Sequence, residues 1–319
     1  MTRTSTSLEV VQVPGNGAED VLVASAGPHE GAVFTGTDDG AVLRVSHDGR
    51  RVTRVGHTGG RPLGLEELPD GRLLVCDAHR GLLALDPSSG AVETLVTAVD
   101  GVPMRFCNNA AVAGDGTVYF SDSSTRHGIA EWKHDFVRLT RTGRLLRRDP
   151  DGTVTVLLDG LAFANGVALA ADESWVAVAE TAARTVVRLW LTGPWAGQRD
   201  LLATDLPGYP DNIARGTDGL VWLALASPRD PVVERVQRAP LWVRRAATSL
   251  PAPLQPAPRR VVHVRAVDAD GRVVHDIDLD GPADRRAFHM VTGVREHEGT
   301  VWLGSLHEAA VARLRPDRG

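Results

Sequence analysis

The sequence predicts an all-β chain, a six-bladed β-propeller, on three observations. An acidic turn followed by an apolar strand recurs six times along the chain. Counting back from each turn reaches a set of oxygen-bearing residues in one register. A spare strand-like segment at the start of the chain matches the last strand and can close a ring.

The repeats read Glu30-Gly31-Ala32-Val33-Phe34, Asp70-Gly71-Arg72-Leu73-Leu74 and Asp115-Gly116-Thr117-Val118-Tyr119. They continue as Asp172-Glu173-Ser174-Trp175-Val176, Asp218-Gly219-Leu220-Val221-Trp222 and Glu298-Gly299-Thr300-Val301-Trp302. Asp-Gly between strands marks a hairpin, because glycine supplies the positive φ such turns require. Spacings of this order are those of propeller blades. A β-sandwich does not account for six recurrences. The alternating segment Leu8 to Val13 is expected to pair near Ala309 to Leu314, which removes the sheet edges of an open ring. The whole chain, 1–319, reads as one propeller domain.

Two spacings are long, and each contains an insert with partly helical character. The third blade carries one at about 124–140, the fifth a larger one at about 228–258. In the second, Val232, Val233, Val236, Leu241, Trp242 and Val243 alternate with Arg235, Arg238, Arg244 and Arg245. That pattern suits one or two short amphipathic helices broken at Pro240. Segment 229–250 could be a lid that sets substrate choice, a surface-seeking element for a membrane, or a helical excursion packed on the rim. His127, Trp132 and His134 of the first insert are expected to help line the same mouth.

Composition narrows the partners. The chain has 319 residues, a net charge of −5 and a hydrophobic fraction of 43%. Slight acidity gives no face for nucleic acid, so a small-molecule substrate is the expected partner. Cys76 and Cys107 stand alone and read as buried free thiols rather than a bridge. The first twenty residues contain no apolar run, and no stretch reaches the ~18 apolar residues of a spanning helix. Cytoplasm is the expected location.

Seven or eight residues before the second residue of each turn stand Leu63, Asn108, Asn165, Asp211 and Thr292, with Asn212 beside Asp211. The first blade has a longer count and opens on Glu19-Asp20. Asparagine or aspartate before a strand is often only a turn former. Four of six equivalent positions with hard oxygen donors are better explained by a cation. Calcium prefers such donors, about 6–8 of them; zinc would want His or Cys. Glu19, Asn108, Asn165, Asp211 and Asn212 are therefore the candidate ligands of one Ca2+ in the central channel.

The strings Gly60-Arg-Pro-Leu-Gly64, Phe106-Cys-Asn-Asn109, Tyr119-Phe-Ser-Asp-Ser-Ser124, Phe163-Ala-Asn-Gly-Val167, Ala179-Glu-Thr181 and Gly208-Tyr-Pro-Asp-Asn-Ile213 resemble the strictosidine synthase-like family. So does Glu296-His-Glu-Gly-Thr-Val-Trp-Leu-Gly-Ser305. The likeness is to the adipocyte plasma-membrane-associated type and its bacterial counterparts. More distantly the chain is similar to paraoxonases, regucalcin/gluconolactonase and diisopropyl-fluorophosphatase. The resemblance implies a calcium-dependent hydrolase of lactones or esters, with the metal polarising the carbonyl. It places the ligands on the same Glu19, Asn108, Asn165, Asp211 and Asn212, with Asp211 as base or nucleophile in some members.

Three positions depart from the relatives. Thr292 stands where strictosidine synthase has its catalytic glutamate, and a threonine cannot take the proton an amine–aldehyde condensation releases. Pro62-Leu63-Gly64 lacks the histidine base of paraoxonases. Asp20 is retained for their second calcium, but its partner position is Asn109. Candidate groups for handling the attacking water are thus Asp211, Glu19 and His289, with Glu180 as a further candidate. His79 reads as a turn contact, and Asp77 and Asp122 as turn formers. The competing readings are a metal-stabilised binding propeller without turnover and a lyase or synthase using the same pocket.

Overall fold

The computed structural model describes residues 7–25, 27–251, 255 and 258–316. Part of the proline-rich end of the fifth-blade insert (252–254, 256 and 257) lies outside the described residues. So do residues 1–6, 26 and 317–319.

Six four-stranded antiparallel sheets form the blades of a propeller. The first strand of each blade lies innermost, against the first strands of its neighbours. These inner strands are Leu22–Val23, Pro62–Glu67, Cys107–Val112, Ala164–Leu169, Gly208–Arg215 and Val291–His297. The six repeated turns join inner to second strands as expected. Gly71, Gly116, Gly219 and Gly299 adopt positive φ there, and Glu173 takes the same role in blade four at φ 56°.

Strand Glu9–Gln12 pairs antiparallel with Ala310–Leu314, with Val10 opposite Ala312 and Val11 opposite Val311. It becomes the outer strand of blade six, so the ring closes with sequence from both ends. The closure is apolar: Val11 and Trp302 of blade six pack with Val23, Val33 and Val45 of blade one. Every seam between blades is built alike. Ala111, Tyr119 and Leu145 of blade three, for example, meet Val167, Val178 and Val187 of blade four.

The inserts are helical. The first holds α1 (Trp132–Arg138); the second holds α2 (Pro231–Arg238) and α3 (Leu241–Thr248), separated at Ala239-Pro240. Asp230 caps α2, its carboxylate accepting from the amides of Val232 and Val233. The break follows from Pro240, which has no amide to continue the ladder. A fourth helix, α4 (Pro282–Ala287), and a hairpin pairing Ala98–Val99 with Val102–Pro103 were not anticipated. Both are connections between blades, where no repeat signal operates. Among the described residues no helix is long and apolar enough to cross a membrane.

Near the axis the inner strands crowd. A Cβ on Gly64 would stand 2.6 Å from Asn109 Cα, one on Gly166 2.0 Å from Ile213 N, and one on Gly293 2.6 Å from Asp20 Cα. The three occupy the same place in blades two, four and six, each against the next blade. The space is closed by backbone, which cannot yield as a side-chain tip would. Gly166→Ala should therefore lower stability by about 3 kcal/mol, the upper end for overpacking, read as a shift in the midpoint of urea unfolding.

Candidate functional site

Each of the last five inner strands contains the same irregularity. Three steps along the inner strand oppose two along its neighbour between Pro62 and Leu65, Cys107 and Ala110, Ala164 and Val167, Pro210 and Ile213, and Val291 and Val294. One extra residue per strand is a β-bulge, which frees a pair of residues from the ladder and re-aims them. The pairs are Leu63-Gly64, Asn108-Asn109, Asn165-Gly166, Asp211-Asn212 and Thr292-Gly293. Glu19-Asp20 holds the matching place just before the first inner strand. The register expected from sequence is thus present, but its members are mostly the second residue of their strand, not the first, because the bulge begins after one paired residue.

Glu19, Leu63, Asn108, Asn165, Asp211 and Thr292 all line one cavity at the channel mouth. Glu19, Asn108 and Asn165 are almost fully buried, as is Asn212 beside them; Asp211 keeps some exposure to the cavity. The amides are held from behind. Asn108 Nδ2 donates to Ser123 Oγ at 2.9 Å, and Asn165 Nδ2 to Thr181 Oγ1 at 3.2 Å. Asn212 Nδ2 donates to Glu19 Oε1 and Oε2 at 3.2 and 3.3 Å. In all three the amide oxygen is buried without a hydrogen-bond partner. An unpaired buried polar atom costs about 1–3 kcal/mol, and three around two carboxylates is a consistent pattern rather than an isolated defect. This donor set fits a hard cation.

The carboxylates show the same frustration. Burial pushes Glu19 well above the usual carboxylate range, and the negative charges of Asp211 and Asp20 add to it. Burial likewise raises Asp211 to about 7, with the Asn165 amide pulling the other way. Without a cation both carboxyls hold their protons to higher pH than in an unfolded chain.

A second polar layer lies beneath. Asp20 Oδ2 accepts from the Leu65 amide at 3.0 Å and from Asn109 Nδ2 at 3.3 Å. Asn109 Oδ1 accepts from the Val167 amide at 2.8 Å. Asn109 thus ties three blades together directly. Thr292 is turned to a similar use: its hydroxyl donates to the Glu19 carbonyl at 2.8 Å.

The walls are apolar. Two residues before the polar register stand Phe106, Phe163, Tyr209 and Met290, and all four line the cavity. Phe163 and Met290 sit at φ 64° and 53°, a left-handed backbone that side chains rarely adopt and that clusters at functional sites. The inserts form the roof, with Ile129, Trp132, Phe136 and Val137 from one and Val233, Val236, Ala247 and Thr248 from the other. Phe136 meets Tyr209 edge to face at 4.9 Å. Gln237 Nε2 donates to the Phe136 carbonyl at 3.0 Å, and Arg138 Nε to Thr248 Oγ1 at 2.9 Å. These bonds join the two inserts into one cover.

Comparison with known proteins agrees with this architecture. The strictosidine synthase profile matches residues 108–194. Protein STRICTOSIDINE SYNTHASE-LIKE 10 of Arabidopsis thaliana is 33% identical over 333 residues, covering 94% of this chain and 86% of the relative. This chain belongs to the strictosidine synthase-like family. The adipocyte plasma membrane-associated protein of Salmo salar is 32% identical over 310 residues, covering 88% of this chain and 72% of that protein. Among solved structures, a gluconolactonase from Xanthomonas campestris superposes with TM-score 0.70 at 16% identity, covering 98% of this chain and 90% of its own. A calcium-binding regucalcin from Agrobacterium tumefaciens gives 0.64 at 13% identity, covering 95% and 90%. At such identities the last two show the fold alone.

Within this strictosidine synthase-like chain, the other singled-out residues lie elsewhere. His289 is not among the residues lining the cavity; its Nδ1 is engaged by Glu308, and its ring lies 5.9 Å from that of His307. Glu180 also stays out of the lining. It accepts from the Ala162 amide at 2.7 Å and from Thr185 Oγ1 at 3.2 Å, anchoring the approach to its inner strand. Asp77 forms the expected turn, accepting from the His79 and Arg80 amides at 2.9 Å. Asp122 corrects the expectation. It is the buried last residue of its strand, accepting from the Phe106 amide at 3.1 Å and from Arg144 Nη2 at 2.6 Å. The inner strand and Arg144 both need a carboxylate there, so it does not make a turn.

Sequence reading missed the partners that orient the amides. Ser123 and Thr181 each follow the last residue of a second strand, 15 and 16 residues after the asparagine they hold. A hydroxyl residue directly after the second strand in both blades was the available signal.

The raised carboxyls give a pH dependence of known sign. A carboxyl whose folded pKa exceeds its unfolded value stabilises the fold most at low pH and less as pH climbs through the folded pKa. For Asp211 the loss begins near its ordinary 3.8 and continues through about 7. The melting temperature of metal-stripped protein should fall between pH 5 and pH 8, read by differential scanning fluorimetry in chelator. A flat or rising profile would contradict the assignment.

Proposed function

We propose that this protein is a calcium-dependent hydrolase of lactones or esters that carry a bulky apolar group. The observation that carries the reading is the set of three unpartnered amide oxygens beside two frustrated carboxylates on the floor of an apolar cavity. The ligands would be Glu19, Asn108, Asn165, Asp211 and Asn212. A gluconolactonase and a calcium-binding regucalcin share this fold, so the fold is compatible with the reading.

Calcium, when bound, supplies a Lewis acid for the carbonyl oxygen and stabilises the charge that develops there. The chain does the rest. Phe106, Phe163, Tyr209 and Met290 hold the apolar part of the substrate and exclude bulk water. Ser123 and Thr181 keep the amide oxygens aimed at the floor. Asp211, the carboxylate with access to the cavity, orients the attacking water and takes its proton as oxygen adds to the carbonyl carbon. The acyl carbon–oxygen bond then breaks, and the leaving alkoxide recovers a proton. His289 has no place in this scheme, because Glu308 engages it outside the cavity lining. An amine–aldehyde condensation is disfavoured at Thr292, whose hydroxyl is already committed to the Glu19 carbonyl. The mostly apolar walls favour aryl or long-chain acyl esters and alkyl-substituted lactones over sugar lactones, whose many hydroxyls would meet fewer partners there.

Calcium titration by calorimetry should show one site, weakened at least about 100-fold by Asn165→Ala. Ser123→Ala and Thr181→Val, which leave every ligand in place, should each weaken it about 10-fold. Turnover should be measured on a panel of aryl esters and alkyl lactones with and without chelator. Chelation that abolishes turnover supports the hydrolase; chelation that lowers only the melting temperature, with no turnover at any calcium level, supports a binding propeller instead.

A further inference from the structure

Where the two inserts meet, one short segment gathers His127, Glu131 and His134. One ligand atom from each lies within 4.8 Å of the other two. His127 Nδ1 stands 3.4 Å from Glu131 Oε2, and His134 Nδ1 3.8 Å from Glu131 Oε1. Donors bound to a single tetrahedral zinc at about 2.0–2.1 Å stand about 3.3 Å from one another. The two histidine–carboxylate separations thus stand within about half an ångström of that distance, and no pair of donors is more than 4.8 Å apart before any ion is added.

The surroundings set the chemistry of the rings. His134 Nε2 donates to the Thr248 carbonyl at 3.2 Å, which leaves the Nδ1 lone pair facing Glu131. A ring nitrogen held by a backbone carbonyl while its partner faces a carboxylate is the arrangement that orients metal-binding histidines. Two acceptors facing each other repel unless a cation or a proton lies between them. His127 is placed from below: its amide and that of Arg126 donate to Ser124 Oγ, each at 3.1 Å, and the fully buried Ser124 also meets Thr142 Oγ1 at 3.1 Å. The rings of His127 and His134 stand edge to face, 5.8 Å apart.

We infer that His127, Glu131 and His134 form a transition-metal site of the zinc class on the outside of the cavity roof. Two imidazoles and one carboxylate suit zinc, cobalt or nickel, and not the all-oxygen preference of calcium. Glu131 is half exposed, so solvent supplies the fourth ligand. Trp132 and Lys133 follow Glu131 in the chain and line the cavity, as does Thr248. A metal here therefore ties the segment before α1 to its first turn, and the His134–Thr248 hydrogen bond carries that restraint to the end of α3. This site is separate from the channel floor and does not rest on the hydrolase reading.

The test uses the full chain, stripped with chelator and then held in excess calcium chloride so that any oxygen site is filled. Cobalt(II) and zinc(II) are titrated in, followed by visible absorption and by calorimetry. One equivalent should bind, cobalt should give the d–d bands of a four- or five-coordinate nitrogen/oxygen site, and Trp132 fluorescence should change. His127→Ala and His134→Ala should each weaken binding at least about 10-fold. Glu131→Gln, which keeps shape and hydrogen bonding, should do the same and guards against misfolding of the histidine variants. Asn165→Ala should leave it unchanged. No cobalt or zinc binding by the wild type overturns the proposal, as does full binding in the three rim variants. Loss of binding on His289→Ala or His307→Ala, with the rim variants intact, overturns it equally.

Discussion

One bulge, repeated in blade after blade, is the constraint on which the rest of this protein depends. In a regular ladder the two residues after the first pair of each inner strand would point to opposite faces of their blade. The extra residue takes them out of the ladder, and their side chains and backbones meet the axis instead. Alternate blades then divide the work. Blades one, three and five contribute a polar second residue, Asp20, Asn109 and Asn212, while blades two, four and six contribute glycine. The glycines let the neighbouring backbone come close, and the polar residues stitch blade to blade. Oxygen donors from four blades can face one point only because both halves of this arrangement hold.

The floor and the roof of the cavity come from different kinds of sequence. The floor is periodic: the ring, its bulges and the aromatic positions two residues upstream all follow the repeat. The roof is aperiodic, made of two inserts that interrupt blades three and five. Such a division lets the roof vary without disturbing the ring. Part of α2 and α3 also faces outward with exposed Val232, Leu241 and Trp242. Basic residues flank these on the same helices.

Much of this was legible in the sequence, and the limits have physical causes. The hairpin turns were readable because a left-handed residue is needed six times, and glycine supplies it in all but one. Strand closure was readable because Leu8–Val13 alternates. The oxygen register was readable because identical geometry demands similar residues at equal offsets. What stayed hidden depends on pairing across strands. A bulge has no composition of its own, so the ring members looked like strand openers. Ser123 and Thr181 act through contacts with asparagines in a neighbouring strand. His289 carries a reactive group and a suitable offset, yet Glu308, 19 residues later, engages it. Asp122 resembles Asp77 in sequence, and only its partners in space, the Phe106 amide and Arg144, distinguish their roles.

The proposed chemistry requires oxygens from separate blades to converge on one cation. The most direct measurement is anomalous X-ray diffraction from crystals grown with calcium and then exchanged for a heavier lanthanide. A single strong peak should lie within bonding distance, about 2.3–2.6 Å for calcium, of Glu19, Asp211 and the side-chain oxygens of Asn108, Asn165 and Asn212. No peak on the channel floor, with those three amide oxygens turned to protein or water partners, would contradict it.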